Sequence, residues 1–219
     1  LQDSLVYLPI DPKKTEEQIR LHARHQFEDG TVLHWWHPIS ETGLPTKMTD
    51  DLLWLPFILM HYIEETGDLK ILSVKEPYYD NKNKKDTLFD HSVAAIEKVL
   101  TRMSKRGLTL IGAGDWNDGL SAVGLDMKGE SIWLTEFFYM VLQKFSELCK
   151  ETGKDNLHKR YSKKAAELKK SFDKMALNLS LNVSAFLYTR YGIRNQNNTI
   201  RLIHKTELIK NANGDTFLK

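Results

Sequence analysis

The chain has a single cysteine among its 219 residues, Cys149, so no intrachain disulfide framework is available, and a reducing compartment such as the cytoplasm fits. It has no apolar run of the roughly 18 residues that a membrane-spanning helix needs. It lacks charge of one sign as well: 31 Lys and Arg stand against 29 Asp and Glu, and a net charge of +2 singles out neither nucleic acid nor an anionic membrane as a partner. Strand-like alternation is scarce before residue 183. The start, Leu1-Gln-Asp-Ser, has neither an initiator Met nor a charged-then-apolar leader and reads as part of a longer chain. What remains is ordinary for a globular protein, with 41% hydrophobic and 27% charged residues, enough to build a sizeable core.

The patterning is helical. Residues 12–27 read as a helix with Asp11 placed to cap it, Pro12 in its first turn and Asp29-Gly30 at its end. Residues 31–49 read as a long connection rich in Trp and His. Thr49 or Asp50 would cap the next helix, which is apolar on nearly every side up to Tyr62 and stops at Gly67. A polar surface loop over 68–89 leads to a helix over 87–105, ended by Gly107. Further helices are expected over 130–152 and 154–177, the last one Lys-rich and half in water. Alternation of buried and half-exposed helices suggests two layers, with loops at one end surrounding a pocket.

One stretch does not look structural. In Gly114-Asp115-Trp116-Asn117-Asp118-Gly119 an apolar lead-in runs into glycines, two carboxylates, an amide and an indole. Asp115 and Asp118 can face one cavity if the loop turns once between them, and Trp116 offers a flat face of the kind sugar rings stack on. The bland alternative is a Gly-Asx turn with a chance Trp. His34-x-x-His37 has the look of a metal pair, but no third ligand stands near it in the sequence, so aromatic and hydrogen-bonding roles are preferred and no metal is expected.

Five blocks carry a resemblance. His34-Trp-Trp-His-Pro38, Thr49-Asp-Asp-Leu-Leu-Trp-Leu-Pro56, Tyr62-Ile-Glu-Glu-Thr-Gly-Asp68, Gly112-Ala-Gly-Asp-Trp-Asn-Asp-Gly119 and Lys128-Gly-Glu-Ser-Ile-Trp-Leu134 together resemble glycoside hydrolase family 94. The family holds inverting cellobiose and chitobiose phosphorylases and the phosphorylase-like domain of cyclic β-1,2-glucan synthases. The similarity covers residues 1–177 and implies an all-α fold, part of an (α/α)6 barrel, followed by a divergent tail over 178–219 that is irregular or a short hairpin. The tail's three glycosylation sequons, at Asn178, Asn182 and Asn197, read as chance in a cytoplasmic protein. Leu1-Gln2-Asp3 resembles the second half of a family segment whose first half holds the donor sugar, and the family's phosphate-binding region lies beyond the matched blocks.

The resemblance implies inverting phosphorolysis of a β-linked glucoside or short β-glucan, reversibly giving an α-sugar 1-phosphate, with inorganic phosphate as co-substrate and no cofactor. A phosphorylase needs only an acid, because phosphate is already an anionic nucleophile, so its site must hold a protonated carboxyl group near neutral pH. Carried over from the family, that acid is Asp118. Trp116 and Asn117 would line the sugar subsites, Asp115 would shape the loop, and His34, Trp36 and Asp51 would form pocket wall. A homodimer is an assembly that the family allows. Two other readings stay open here: an inverting hydrolase, with Asp50 or Asp51 as base, and a non-catalytic piece of a larger glycan-active enzyme. The His-Trp-Trp-His-Pro block favours the β-1,2-glucan branch.

Overall fold

The computed structural model describes residues 1–116, 122–191, 209–210 and 216–217, with side chains as far as Met175. It is mostly α, and it divides into two compact units, Leu1–Lys169 and Lys170–Lys219. In the first unit a 3-10 turn, Gln2–Tyr7, precedes α1 (Pro12–Ala23). A hairpin of β1 (Leu33–Trp36) and β2 (Gly43–Pro45) leads to α2 (Trp54–Thr66). A second hairpin, β3 (Lys75–Pro77) with β4 (Lys85–Thr87), leads to α3 (Leu88–Leu100). Then come α4 (Ile132–Glu151) and the start of α5 (Asp155–Tyr191), whose residues from Lys170 on belong to the second unit. In the second unit β5 (Ile209–Lys210) pairs antiparallel with β6 (Thr216–Phe217).

Helix α2 is the centre of the first unit and packs against α1, α3 and α4. Its apolar residues lie on more than one side because it has neighbours on more than one side: Leu55, Ile58, Leu59, Met60 and Tyr62 are all buried. The core they join takes Ile19 and Ala23 from α1, Leu88, Ile96 and Val99 from α3, and Phe138, Val141, Leu142 and Phe145 from α4. Full burial of such side chains stabilises by about 1.5–3 kcal/mol each. Pro56 causes no kink because α2 begins at Trp54, which leaves the proline inside the first turn, where its missing N–H is no loss.

The helix ends carry the clearest local chemistry. Thr87 and Asp90 form a reciprocal capping box at the start of α3, and Ser131 accepts from the Leu134 N–H at the start of α4. Helix α2 stops at Gly67, which is left-handed with φ 69°, and Gly153, with φ 71°, follows α4 one residue beyond its cap. Thr66 and Thr152 each donate their hydroxyl 2.7 Å back to the carbonyl four residues earlier.

Several expectations need correction. The connection over 31–49 is the β1–β2 hairpin, and the loop over 68–89 holds β3–β4. Helix α1 ends at Ala23 rather than near residue 27, because Gln26 turns inward to donate 3.0 Å to the His91 carbonyl and its backbone bridges to Val32. Asp11 makes no side-chain cap there. Thr49 and Asp50 do not cap α2 either: residues Asp50–Leu52 are a separate 3-10 turn and Leu53 precedes the helix. Helix α3 ends at Leu100, and Gly107, with φ 76°, sits in the following turn. Helix α5 continues past residue 177 to Tyr191, with no Pro or Gly between 170 and 191 to stop it.

The lead-in to the Asp-Trp-Asn-Asp stretch is held between two chain segments. On one side Ile111 N–H donates 2.9 Å to Gly129 O, and Ser131 N–H donates 3.0 Å to Thr109 O. On the other, Ala113 N–H donates 3.1 Å to Lys47 O, and Thr49 N–H donates 3.3 Å to Ile111 O. Gly112 makes the second contact possible: its φ is 73°, and a Cβ there would lie 2.0 Å from the Lys47 carbonyl oxygen. Neither backbone can yield without breaking that pairing. Gly112→Ala is therefore expected to cost about 2 kcal/mol or more in urea unfolding, combining left-handed strain with the clash. A stability equal to wild type would show that the segments are not joined in this way.

Candidate active site

Three of the residues singled out from the sequence meet at one cavity. His34 and Trp36 come from β1, and Asp51 from the 3-10 turn before α2. The cavity holds about 210 Å³ and is also lined by Gln2, His22, His25 and Trp54. Asp51 joins hairpin to turn, because its Oδ2 accepts from His34 Nδ1 at 2.8 Å and also from the Thr46 hydroxyl. Thr46 in turn accepts from Met48 N–H at 2.9 Å. Since a carboxylate only accepts, His34 carries its proton on Nδ1 in that bond. Trp36 lies over the His25 ring, 4.0 Å between centroids and 12° from parallel, and meets the edge of His22 at 5.0 Å.

The motif stretch approaches the same place from the other direction. Trp116 is 57% exposed, stacks on Trp133 of α4 at 6.0 Å, and donates its indole N–H to Gln2 Oε1 at 3.3 Å. Gln2 thus touches both Trp116 and the cavity. Asp115 is 5% exposed and accepts 2.7 Å from the hydroxyl of Ser131, the residue that caps α4, so the stretch is tied to a helix start. Asn117 and Asp118 lie outside the described residues.

Asp50 is not among the residues that line this cavity. It is 4% exposed, its Oδ1 has no hydrogen-bond partner, and burial, reinforced by nearby Asp51 and Asp115, raises its pKa from 3.8 to about 7. Of the two carboxylates considered for a hydrolytic base, one is therefore sequestered and the other is already bonded to His34 and Thr46. His37 stands beside Trp35, and among the described residues no group of three or more His, Cys, Asp or Glu is arranged to hold a metal ion. Among them, too, no helix is long and apolar enough to cross a membrane.

Sequence reasoning passed over Gln2, Trp54, His22 and His25. The available signal was the spacing of the two histidines: His22 and His25 are three apart, so one helical turn brings both towards the hairpin that carries His34 and Trp36.

With this geometry in view, residues 1–205 match the family model for the Glycosyl hydrolase 94 superfamily, catalytic domain. The chain belongs to that family. Over 161 residues it is 35% identical to cyclic β-(1,2)-glucan synthase NdvB of Rhizobium meliloti, a match covering 66% of this chain and 6% of that protein. It is 30% identical over 155 residues to solabiose phosphorylase of Paenibacillus borealis, covering 71% of this chain and 19% of the relative. It is 26% identical over 195 residues to N,N'-diacetylchitobiose phosphorylase of Vibrio proteolyticus, covering 78% and 24% respectively. The chain spans less than a quarter of the length of each of these relatives.

The Asp50 geometry fixes the sign of a pH effect. A carboxyl whose folded pKa is raised binds its proton more tightly when folded, so stability falls as pH rises from about 4 to about 7 and then levels off. Asp50→Asn removes the ionisation. Its melting temperature relative to wild type is expected to climb across that window, measured by thermal scans at pH 4.5, 6 and 8. A constant offset at all three values would mean that Asp50 ionises normally in the folded protein.

Proposed function

We propose that this chain supplies part of the active site of a β-glucoside phosphorylase. The observation that carries the reading is the convergence of the hairpin cavity and Trp116 on Gln2, in a chain of this family. The helices belong, on this reading, to an (α/α)6 barrel with its loops around the site. Asp118 is the acid, Trp116 and Asn117 line the sugar subsites, and His34, Trp36 and Asp51 form pocket wall. Residues 1–177 form the barrel part, and 178–219 a separate tail. The reaction proceeds in cytoplasm with no cofactor.

The chemistry is a single inverting displacement. A phosphate oxygen attacks the anomeric carbon on the face opposite the leaving group while the C1–O bond to the departing sugar breaks. The leaving oxygen takes the proton of Asp118, and a β-glycoside becomes an α-sugar 1-phosphate. Phosphate is thus co-substrate, and the products are a free sugar or shortened glucan and the sugar phosphate. The similarity to a cyclic β-(1,2)-glucan synthase supports a β-1,2-linked glucan as substrate. The phosphorylases among the relatives support phosphate as the nucleophile.

Asp118→Asn is the direct test, in the protein as its gene encodes it. Sugar 1-phosphate formation is expected to fall at least about a hundredfold, the scale of losing a general acid, with an unchanged circular-dichroism spectrum. Wild-type turnover by the variant would remove Asp118 from the role of acid. Cleavage that proceeds equally well without phosphate would make the protein a hydrolase.

A further inference from the structure

The Trp36 indole, which β1 contributes to the cavity wall, rests on a second ring. It stacks on His25 with 4.0 Å between centroids and 12° between planes. The His25 backbone is well fixed, because its carbonyl accepts 3.1 Å from Leu33 N–H at the start of β1. Its ring is fixed less completely. Nδ1 donates 2.8 Å to Leu21 O, whereas Nε2 is buried and has no partner. A ring bonded at one nitrogen can still tilt about that bond, so the rings packed on it decide its plane. One of these is Trp36. A second is Tyr79, stacked on His25 at 6.0 Å and 27°.

Tyr79 comes from another part of the chain, the connection between β3 and β4, and is not among the residues that line the cavity. Its own place is set from the end of α1 and from its loop. Its N–H donates 2.7 Å to Gln26 O, its ring meets Phe27 at 5.2 Å and 64°, and the Lys82 ammonium lies 5.3 Å from its centroid. The neighbouring Tyr78 is used differently: it is 2% exposed, packs on His91 at 4.3 Å and donates 3.0 Å to Asp86 Oδ2. Lys82, Tyr79, His25 and Trp36 thus form a file of contacts that runs from an exposed loop residue to the cavity.

We propose that Tyr79 is a positioning residue for the pocket wall: it fixes the tilt of His25 and, through that ring, the plane that Trp36 presents to the cavity. The inference rests on the reading of Trp36 as the wall of a sugar pocket and extends it to a residue outside the cavity. What Tyr79 gives His25 is a ring face, and phenylalanine has the same face. The role belongs to the ring and not to the hydroxyl.

The test is a double-mutant cycle read by titration calorimetry, on the protein as its gene encodes it, with β-linked glucose disaccharides as probes. Tyr79→Leu is expected to weaken the tightest of them about three- to tenfold, the range that one lost aromatic pair supports. Tyr79→Phe is expected to bind it as wild type does. In the Trp36→Ala background no indole is left to orient, and there Tyr79→Leu is expected to change affinity by less than about 1.5-fold. A brace that only stabilises the fold would lower the melting temperature in both backgrounds and leave affinity alone. Circular dichroism checks the folding of each variant, and Tyr79→Met takes the place of Tyr79→Leu if the latter does not fold. Wild-type affinity in Tyr79→Leu overturns the inference. So does equal weakening in both backgrounds, an equal loss in Tyr79→Phe, or failure of every disaccharide to bind wild type. Sugar 1-phosphate formation is followed in parallel on wild type. Binding with the expected coupling, but without phosphate-dependent turnover, sinks the phosphorylase reading and leaves the positioning role standing.

Discussion

Two backbone hydrogen bonds, Ala113 N–H to Lys47 O and Thr49 N–H to Ile111 O, join the end of the first hairpin to the lead-in of the Asp-Trp-Asn-Asp stretch. Much of the site's geometry depends on that seam. It brings residues 47–51 alongside residues 111–115, and so places Asp50, Asp51 and Asp115 near one another. Arg102 braces it from α3's end, donating 3.0 Å to Met48 O and 3.3 Å to the Thr49 hydroxyl. Burial and like charge then act together on Asp50, which keeps its proton far above the ordinary carboxylate range. The seam tolerates only glycine at position 112, because any Cβ would meet a carbonyl already engaged in the pairing.

From this seam the site divides into two chemical parts. The hairpin side is fixed by hydrogen bonds that leave little freedom: Thr46 and His34 converge on one oxygen of Asp51. The motif side is fixed by Asp115 on Ser131 and by the stacking of Trp116 over Trp133 and of Trp133 over Phe137. Side chains held in this way arrive at a ligand already oriented, which lowers the entropy lost on binding. A half-exposed indole thus presents a flat apolar face beside a cavity lined by imidazoles and a carboxylate.

The helical part of the fold was legible because its signals are redundant. The terminating glycines 67 and 153 and the apolar run from Trp54 to Tyr62 each specify elements that packing also favours, whereas the side-chain caps fall at Thr87 and Ser131 and not at the expected Asp11, Thr49 or Asp50. The hairpins were not legible, since strands of three or four residues are too short to show a period of two. The end of α1 was misjudged because Gln26 is polar in sequence yet serves the core, satisfied by His91 on both sides of its amide. His34, Trp36 and Asp51 are reached through the family blocks that contain them, whereas nothing in the sequence but their spacing sets His22 and His25 apart, and only the fold brings the Trp36 ring of β1 against both. Membership of the family was the most legible feature, because five motif blocks stand in the family's order with sensible spacing, and the family model matches residues 1–205.

The account holds that a phosphorolytic sugar site is built on the Gln2 convergence. The reverse reaction addresses it most directly: incubation of the protein, as its gene encodes it, with α-glucose 1-phosphate and a panel of glucose-terminated acceptors, following phosphate release and the anomeric proton of the product by NMR. The account predicts acceptor-dependent release of phosphate and a new β-linkage, at the 2-position for the best acceptor. Absence of phosphate release with every acceptor, or formation of an α-linked product, would contradict it.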